Sequence, residues 1–397
     1  MKTTFSQPTP WRWIILFVSV WVLGLAGVNF YTPVMPSMVH ALHTTPTAVK
    51  LTISLFLLGK GISMLCYSPI IELLRRKHFL LLGIGLFAVG SLLAFCAPSI
   101  DYVLWGRLIQ GIGVSLCILM GRAVVNDLFK TEHAASVFSK IFAGNGLMII
   151  VLPTLGALVA TYFEWRIIFL IFTLYAMVIF VLIAWRMPST RPYRTVMDLT
   201  ALSRAYLCIL GHPQFWGYVL CLALMTAGEK AFTTSAALIY INHVGLSKLA
   251  YGYLSSGVWL AHFLGLITCA VLLRRFSLQR TLSMGIGLTA ISALVLLITG
   301  VTHTTTPTLL WLMVWIFMFG SGFILSTAAV GIVRPFPNWI ALSTALAMGI
   351  EFLLAFCSSA LVSHFSSKTV LPVSDIMGGC GALLFIAWYG LLRRTVC

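Results

Sequence analysis

Apolar residues along this chain come in long unbroken runs. The stripe of a surface helix and the alternation of a half-buried strand are both absent. Twelve runs reach the roughly 20 residues that a helix needs to cross a bilayer: 13–33, 49–71, 79–97, 102–124, 136–160, 167–186, 214–240, 250–273, 281–300, 308–333, 338–363 and 372–392. Turn and end signals separate them, among them Pro33 and Pro36, Arg75-Arg76-Lys77, Ala97-Pro98-Ser99, Arg274-Arg275, Thr306-Pro307 and Arg334-Pro335. The short break near 164–166 predicts a tight hairpin between the fifth and sixth spans. The longest connection, about 187–213, divides the runs six and six, and its stretch Leu199 to Leu210 reads as a helix lying against the bilayer. The pattern therefore predicts an all-α integral membrane protein: twelve transmembrane helices in two pseudo-symmetric six-helix bundles, residues 1–186 and 214–397, joined by a cytoplasmic linker, 187–213. Spans 2 and 8 both end in a basic pair, Arg75-Arg76 and Arg274-Arg275, a weak echo of duplication. Lys2 and Arg12 ahead of the first run superficially suit a signal peptide. No small-x-small cleavage site follows, and another apolar run comes at once, so the run reads as a retained span.

Composition narrows the class. Of 397 residues 60% are hydrophobic and 9% charged, where a soluble domain carries about 25% charged residues. A water-soluble enzyme and a nucleic-acid binder are excluded by that balance, because the formal charge of +16 is gathered into short loop clusters. With both termini placed in the cytoplasm, eighteen of the 25 basic residues fall on the cytoplasmic side, from Lys2 and Arg12 to Arg393 and Arg394. Four (Lys50, Arg166, Lys248, Lys368) fall at the outer ends, and three (Lys60, Arg107, Lys230) lie within spans. That bias predicts a multi-pass protein of the cytoplasmic (inner) membrane with both termini inside. The nine cysteines are scattered, with no CxxC pair, and read as packing residues. No metal or cofactor motif and no catalytic cluster at a shared depth is present, so no enzyme activity is expected.

The motifs point to a family. Span 1 ends Asn29-Phe30-Tyr31-Thr32-Pro33-Val34-Met35-Pro36, close to D-x-Y-x-P-x-x-P; span 4 reads Gly106-Arg107-Leu108-Ile109-Gln110-Gly111-Ile112-Gly113, matching R-x-x-Q-G-x-G. Asn126-Asp127-Leu128-Phe129 is like R-D-L-F without its arginine, and Trp165-Arg166 with Phe169 is like G-W-R-x-x-F. The chain thus resembles the major facilitator superfamily, and within it the twelve-span drug:proton antiporters of the bicyclomycin/chloramphenicol-resistance type. Three positions depart from that pattern. The loop 2–3 motif reads Ser68-Pro69-Ile70-Ile71-Glu72-Leu73-Leu74-Arg75-Arg76-Lys77, keeping its acid as Glu72 and losing its glycines. The span 1 acid is Asn29. The glycine-rich stretch before Pro153 is reduced to Gly144 and Gly146.

Charged groups inside the bilayer are costly unless they face a cavity or a partner, which makes each a candidate. Lys60, flanked by Gly59 and Gly61 in mid-span 2, meets either the solute or a coupling acid, or locks two helices together. Arg107 with Gln110 on span 4 is implied by the resemblance in proton coupling, snorkelling being the alternative. Span 7 carries Glu229 and Lys230. Adjacent side chains leave a helix about 100° apart, so these two are not expected to pair. Glu229 is the first choice for a protonatable carboxylate, with a lasting salt bridge to Lys60 or Arg107 as its rival. Glu351 in span 11 is open between a second proton site and an acid bonded to a hydroxyl. His262 in span 8 is a weaker functional candidate, since a neutral histidine can sit in such a helix at modest cost. Tyr31, Tyr67 and Trp259 are candidate cavity aromatics, and Glu72, Arg75, Arg76, Arg122 and Asp127 candidate gating residues at the cytoplasmic face.

The expected function is secondary, proton-coupled transport of a small organic solute by alternating access, leaning to efflux, by a monomer that needs the lipid bilayer, no nucleic acid and no cofactor. Lys60, Arg107 and the missing span 1 acid leave open an anionic or zwitterionic cargo, such as a polycarboxylate siderophore or an organic acid. A non-transporting receptor or scaffold on the same fold is the remaining reading.

Overall fold

A computed structural model describes residues 10–67, 75–129, 131–187 and 199–393, and every regular element among them is helical. The first helix, α1 (Pro10–Asn29), opens on a proline, whose missing N–H belongs to the donors that a helix start leaves free anyway. The span does not stop at Pro33. A 3-10 turn, Thr32–Val34, and the short α2 (Met35–Ala41) carry the chain on, and each proline sits in the opening positions of its own turn, where it costs no hydrogen bond. Helices α3 (Pro46–Tyr67), α4 (Arg76–Phe95), α5 (Ile100–Leu128), α6 (Thr131–Tyr162) and α7 (Trp165–Arg186) complete the first bundle. The linker holds α8 (Leu199–Leu210). The second bundle consists of α9 (Pro213–Ala237), prolonged by a π-turn Leu238–His243, then α10 (Lys248–Leu272), α11 (Leu278–Val301), α12 (Pro307–Val333), α13 (Ile340–Ser363) and α14 (Leu371–Trp388).

Among the described residues eleven helices are long and apolar enough to cross a membrane alone. The twelfth crossing, Pro213–His243, meets that test only together with Leu202–Leu210, from which it bends by 73°. Its polar mid-section, Thr226 to Ser235 with Glu229 and Lys230, is the reason. Where helices end, His43 and His303 take the left-handed conformation (φ 47° and 56°). Thr44 N–H then bonds the Val39 carbonyl at 3.1 Å and Thr304 N–H the Thr299 carbonyl at 2.9 Å, closing α2 and α11. Ser247, Ser277 and Thr306 cap the starts of α10, α11 and α12.

Within each bundle, helices touch backbone to backbone. A Cβ at Gly111 would run into the Phe56 carbonyl and one at Gly59 into the Leu108 carbonyl, so α3 and α5 can lie this close only with glycine at both places. The second bundle repeats the contact between α10 and α12, where Gly265 faces the Phe319 carbonyl and Gly322 the backbone of His262 and Gly265. Both are contacts of the second span with the fourth, a structural likeness of the halves much clearer than their basic pairs.

Twelve crossings bring Pro10 and Arg393, the first and last described residues, to one end of the protein, the termini end; loops 42–45, 163–164, 244–247 and 364–370 mark the far end. Buried apolar side chains sort into two clusters that follow the bundles, with Leu238, Ala345, Phe352 and Ala355 crossing to join the first. The bundles meet along two helix pairs, α3 with α13 and α6 with α10. Polar contacts tie these pairs toward the far end: Ser54 to Ser359 at 2.8 Å, Thr154 to Ser256 at 2.8 Å, and Lys50 Nζ to the Val362 and Phe365 carbonyls at 3.1 and 2.7 Å.

Candidate functional site

Four charged side chains from three helices gather at mid-depth where the bundles meet. Lys60 comes from α3, Glu229 and Lys230 from α9 and Glu351 from α13, and they are 7, 8, 7 and 9% exposed. Lys60 lies within electrostatic reach of the other three. Its ammonium sits 3.6 Å from the centroid of the Phe352 ring and 5.9 Å from that of Phe56, and among the described residues it has neither a hydrogen bond nor an ion pair. Aromatic faces hold a cation weakly and leave its donors free.

Glu229 and Lys230 form an ion pair, against the expectation from their 100° offset. Two long side chains on neighbouring residues span that angle when both turn toward one pocket, and in a site so little exposed neither charge has water to prefer. Neither Lys60 nor Arg107 bonds to Glu229; the partner is the next residue. Lys230 Nζ also lies 5.6 Å from the ring centroid of Trp259, which packs edge-on against His262. Glu351 accepts a hydrogen bond from the Thr226 hydroxyl at 2.9 Å, across the α9–α13 contact, and Arg122 of α5 lies within its electrostatic reach. His262 Nδ1 is 2.6 Å from the Ser321 hydroxyl of α12, a bond that holds α10 to α12.

A second polar group is sealed inside the first bundle. Arg107 has no exposed surface, which removes the snorkelling alternative. It donates to the Thr52 carbonyl at 3.4 Å, to Gln110 Oε1 at 2.7 Å and to the Gly27 carbonyl, while its guanidinium lies 4.5 and 4.4 Å from the ring centroids of Tyr31 and Phe56. Gln110 Nε2 passes the chain on to the Ser91 hydroxyl, and the Tyr31 hydroxyl shares a 2.7 Å bond with Thr52. Carbonyl dipoles, an amide and two π faces offset the burial of this cation, and α1, α3, α4 and α5 are tied by it. Tyr31, Arg107 and Gln110 thus stand together, apart from the group around Glu351.

Of the other candidates, Tyr67 ends α3, half-buried against the first bundle's core. Arg76 Nε bonds Asp127 Oδ2 at 3.3 Å, joining the start of α4 to the end of α5 at the termini end. Arg75 is exposed there, and Arg122 lies 5.9 Å from the Trp21 ring centroid. Glu72 falls outside the described residues. Sequence reasoning left a hydroxyl open as the partner of Glu351 without identifying it as that of Thr226, and it passed over Asn145, a buried amide in α6. A mid-span asparagine between two glycines was the available signal for Asn145; which hydroxyl meets Glu351 depends on helix packing that spacing along the chain does not show. Among the described residues no three His, Cys, Asp or Glu side chains are placed to hold a metal ion.

Comparison with known proteins agrees with this architecture. The chain is 23% identical to the bicyclomycin resistance protein homolog of Haemophilus influenzae, over 96% of this chain and 97% of that one. It is 26% identical to the chloramphenicol resistance protein of Pseudomonas aeruginosa, over 93% and 89%. The crystal structure of a D-xylose–proton symporter superposes with a TM-score of 0.73 at 14% identity, covering 97% of this chain and 99% of that one. The family model of the Major Facilitator Superfamily matches residues 13–358. With two helical bundles and charges gathered between them, this multi-pass membrane protein is a secondary transporter that belongs to the Major Facilitator Superfamily.

Proposed function

We propose that the protein exports a small organic solute in exchange for protons, and that Glu351 and Glu229 carry the proton in place of the span 1 acid, here Asn29. The observation that supports this is the meeting of two carboxylates and Lys60 at the bundle boundary, at mid-depth and almost closed to solvent. Groups on opposite sides of a boundary that must open and close feel each conformational change directly. Protonation of a carboxylate there alters the charge that holds the bundles together, so the proton and the rocking motion are coupled. Relatives named for resistance to bicyclomycin and chloramphenicol support the outward direction. The base distribution supports a cytoplasmic termini end.

The test is solute movement in proteoliposomes under an imposed pH gradient. Glu351→Gln and Glu229→Gln keep size and most hydrogen bonding but cannot titrate. One of the two should abolish gradient-driven accumulation while leaving solute exchange intact. Full uphill transport by both variants refutes the assignment.

A second reading has its own observation, the ammonium of Lys60 with all donors free. Two lysines and two carboxylates balance when all are ionised. Protonating either carboxylate leaves a net positive charge, which attracts an anionic solute and repels a cationic one. Cargo sign and coupling direction are therefore linked: a cation exchanges against the proton, whereas an anion travels with it. The same vesicles distinguish the two by the direction of the pH gradient that drives uptake.

A further inference from the structure

We infer that Asn145 is a hydrogen-bonding residue of the solute site, selecting solutes that present a polar group to its side-chain amide. The inference rests on the export reading and names part of the site's specificity. Asn145 lies about 20 Å along α6 from its start, near mid-membrane, and is 9% exposed. Among the described residues neither its Nδ2 nor its Oδ1 has a hydrogen-bond partner.

The neighbouring glycines show where this amide points. A Cβ at Gly144 would meet Val18 of α1, and one at Gly146 would meet Phe263 of α10. With 100° between successive residues, Asn145 points between those two directions, into the seam of α1 and α10. One of these helices belongs to each bundle, so the amide faces the boundary on which Lys60 and Glu351 also lie. The hydroxyls there are paired, Thr154 with Ser256, Ser54 with Ser359 and Thr226 with Glu351, and the Lys60 ammonium rests on aromatic rings. An amide removed from water and left without a partner destabilises the fold, and a leucine, branched in the same way though larger, avoids that cost. A residue that breaks this local rule at the centre of a transport path is accounted for when the solute itself is the missing partner.

The experiment compares wild type with Asn145→Leu, and with Asn145→Ala in case leucine does not fit. Melting temperature in detergent is measured beside uptake of chloramphenicol, rich in hydrogen-bonding groups, and of tetraphenylphosphonium, which has none. The expected result is a melting temperature raised by several degrees in the leucine variant, chloramphenicol uptake reduced at least tenfold in both variants, and tetraphenylphosphonium uptake unchanged. A lowered melting temperature in both variants means that the amide has a structural partner and overturns the inference. A raised melting temperature with both probes transported normally, or with both lost alike, overturns it too while leaving the export reading in place. A wild type that carries neither probe refutes export of this class of solute and the inference with it.

Discussion

Lys60 sets the sharpest question at the scale of one residue. Its ammonium lies over Phe352 with no carboxylate bonded to it, although Glu229 and Glu351 are within electrostatic reach. If that ammonium is held ready for an anionic group, Lys60→Met should weaken an anionic solute by about 2–5 kcal/mol and spare a lipophilic cation. If its work is to balance the two acids, the same change should lower the melting temperature and affect both solute classes alike, by leaving a carboxylate uncompensated. Binding of one anion and one cation to the purified proteins, with melting temperatures, decides between them; selective loss of the cation contradicts both. Lys60, Arg107, Glu229 and Glu351 were legible as candidates because charge is rare within apolar runs. Gln110 beside Arg107 could be read with them, and a hydroxyl for Glu351 stood as one alternative; the remaining partners could not be read. Spacing on a helix wheel argued against a Glu229–Lys230 pair, since it describes where Cβ atoms leave the helix and not how far long side chains reach. Arg107 and Lys60 look alike in sequence; only the surrounding helices make one a sealed tie and the other a free cation.

At the scale of helices, the spans could be read because a run of about 20 apolar residues admits few other structures. Their pairing could not, since a glycine in an apolar run gives no sign of which neighbour approaches it. The contact of Gly111 with the Phe56 carbonyl shows what is at stake. Any side chain there forces α5 away from α3, and on that contact depend both the Arg107 network and the position of Lys60, four residues from Phe56. Gly111→Val should therefore cost at least about 1–3 kcal/mol, seen as a lowered melting temperature. Gly379, with open space around its Cβ position, gives the control: Gly379→Ala should leave stability nearly unchanged or raise it. Equal melting temperatures for wild type and Gly111→Val would show that the two helices do not need this approach.

For the whole molecule, the question is what holds the far end shut, and the contacts give a symmetric answer. Lys50 of α3, 1% exposed, donates to the Val362 and Phe365 carbonyls at the end of α13; Lys248 at the start of α10 donates to the Ala160 carbonyl in the last turn of α6 at 2.7 Å. In each case a lysine of one bundle's second span caps the carbonyl end of the other bundle's fifth, where the helix dipole favours a cation. Neither lysine was singled out from sequence beyond its count among the outer bases, because its partner is a backbone end more than 80 residues away in the chain. A charged hydrogen bond contributes about 1.5–3 kcal/mol, and each bond here exists only in the closed arrangement. Removing one should favour the open far end by roughly tenfold or more. Because both act on a single rigid-body motion, Lys50→Met and Lys248→Met together should multiply their effects. Spin labels at Thr45 and Ser366, on opposite sides of the far-end opening, would report a longer distance whose population grows from wild type through each single variant to the double. The neutral substitutions leave the termini end untouched, so a label pair there should report separation falling as the far end opens, as alternating access requires. An unchanged far-end distance in the double variant would mean that the lysines merely cap helices and that apolar packing alone closes the gate.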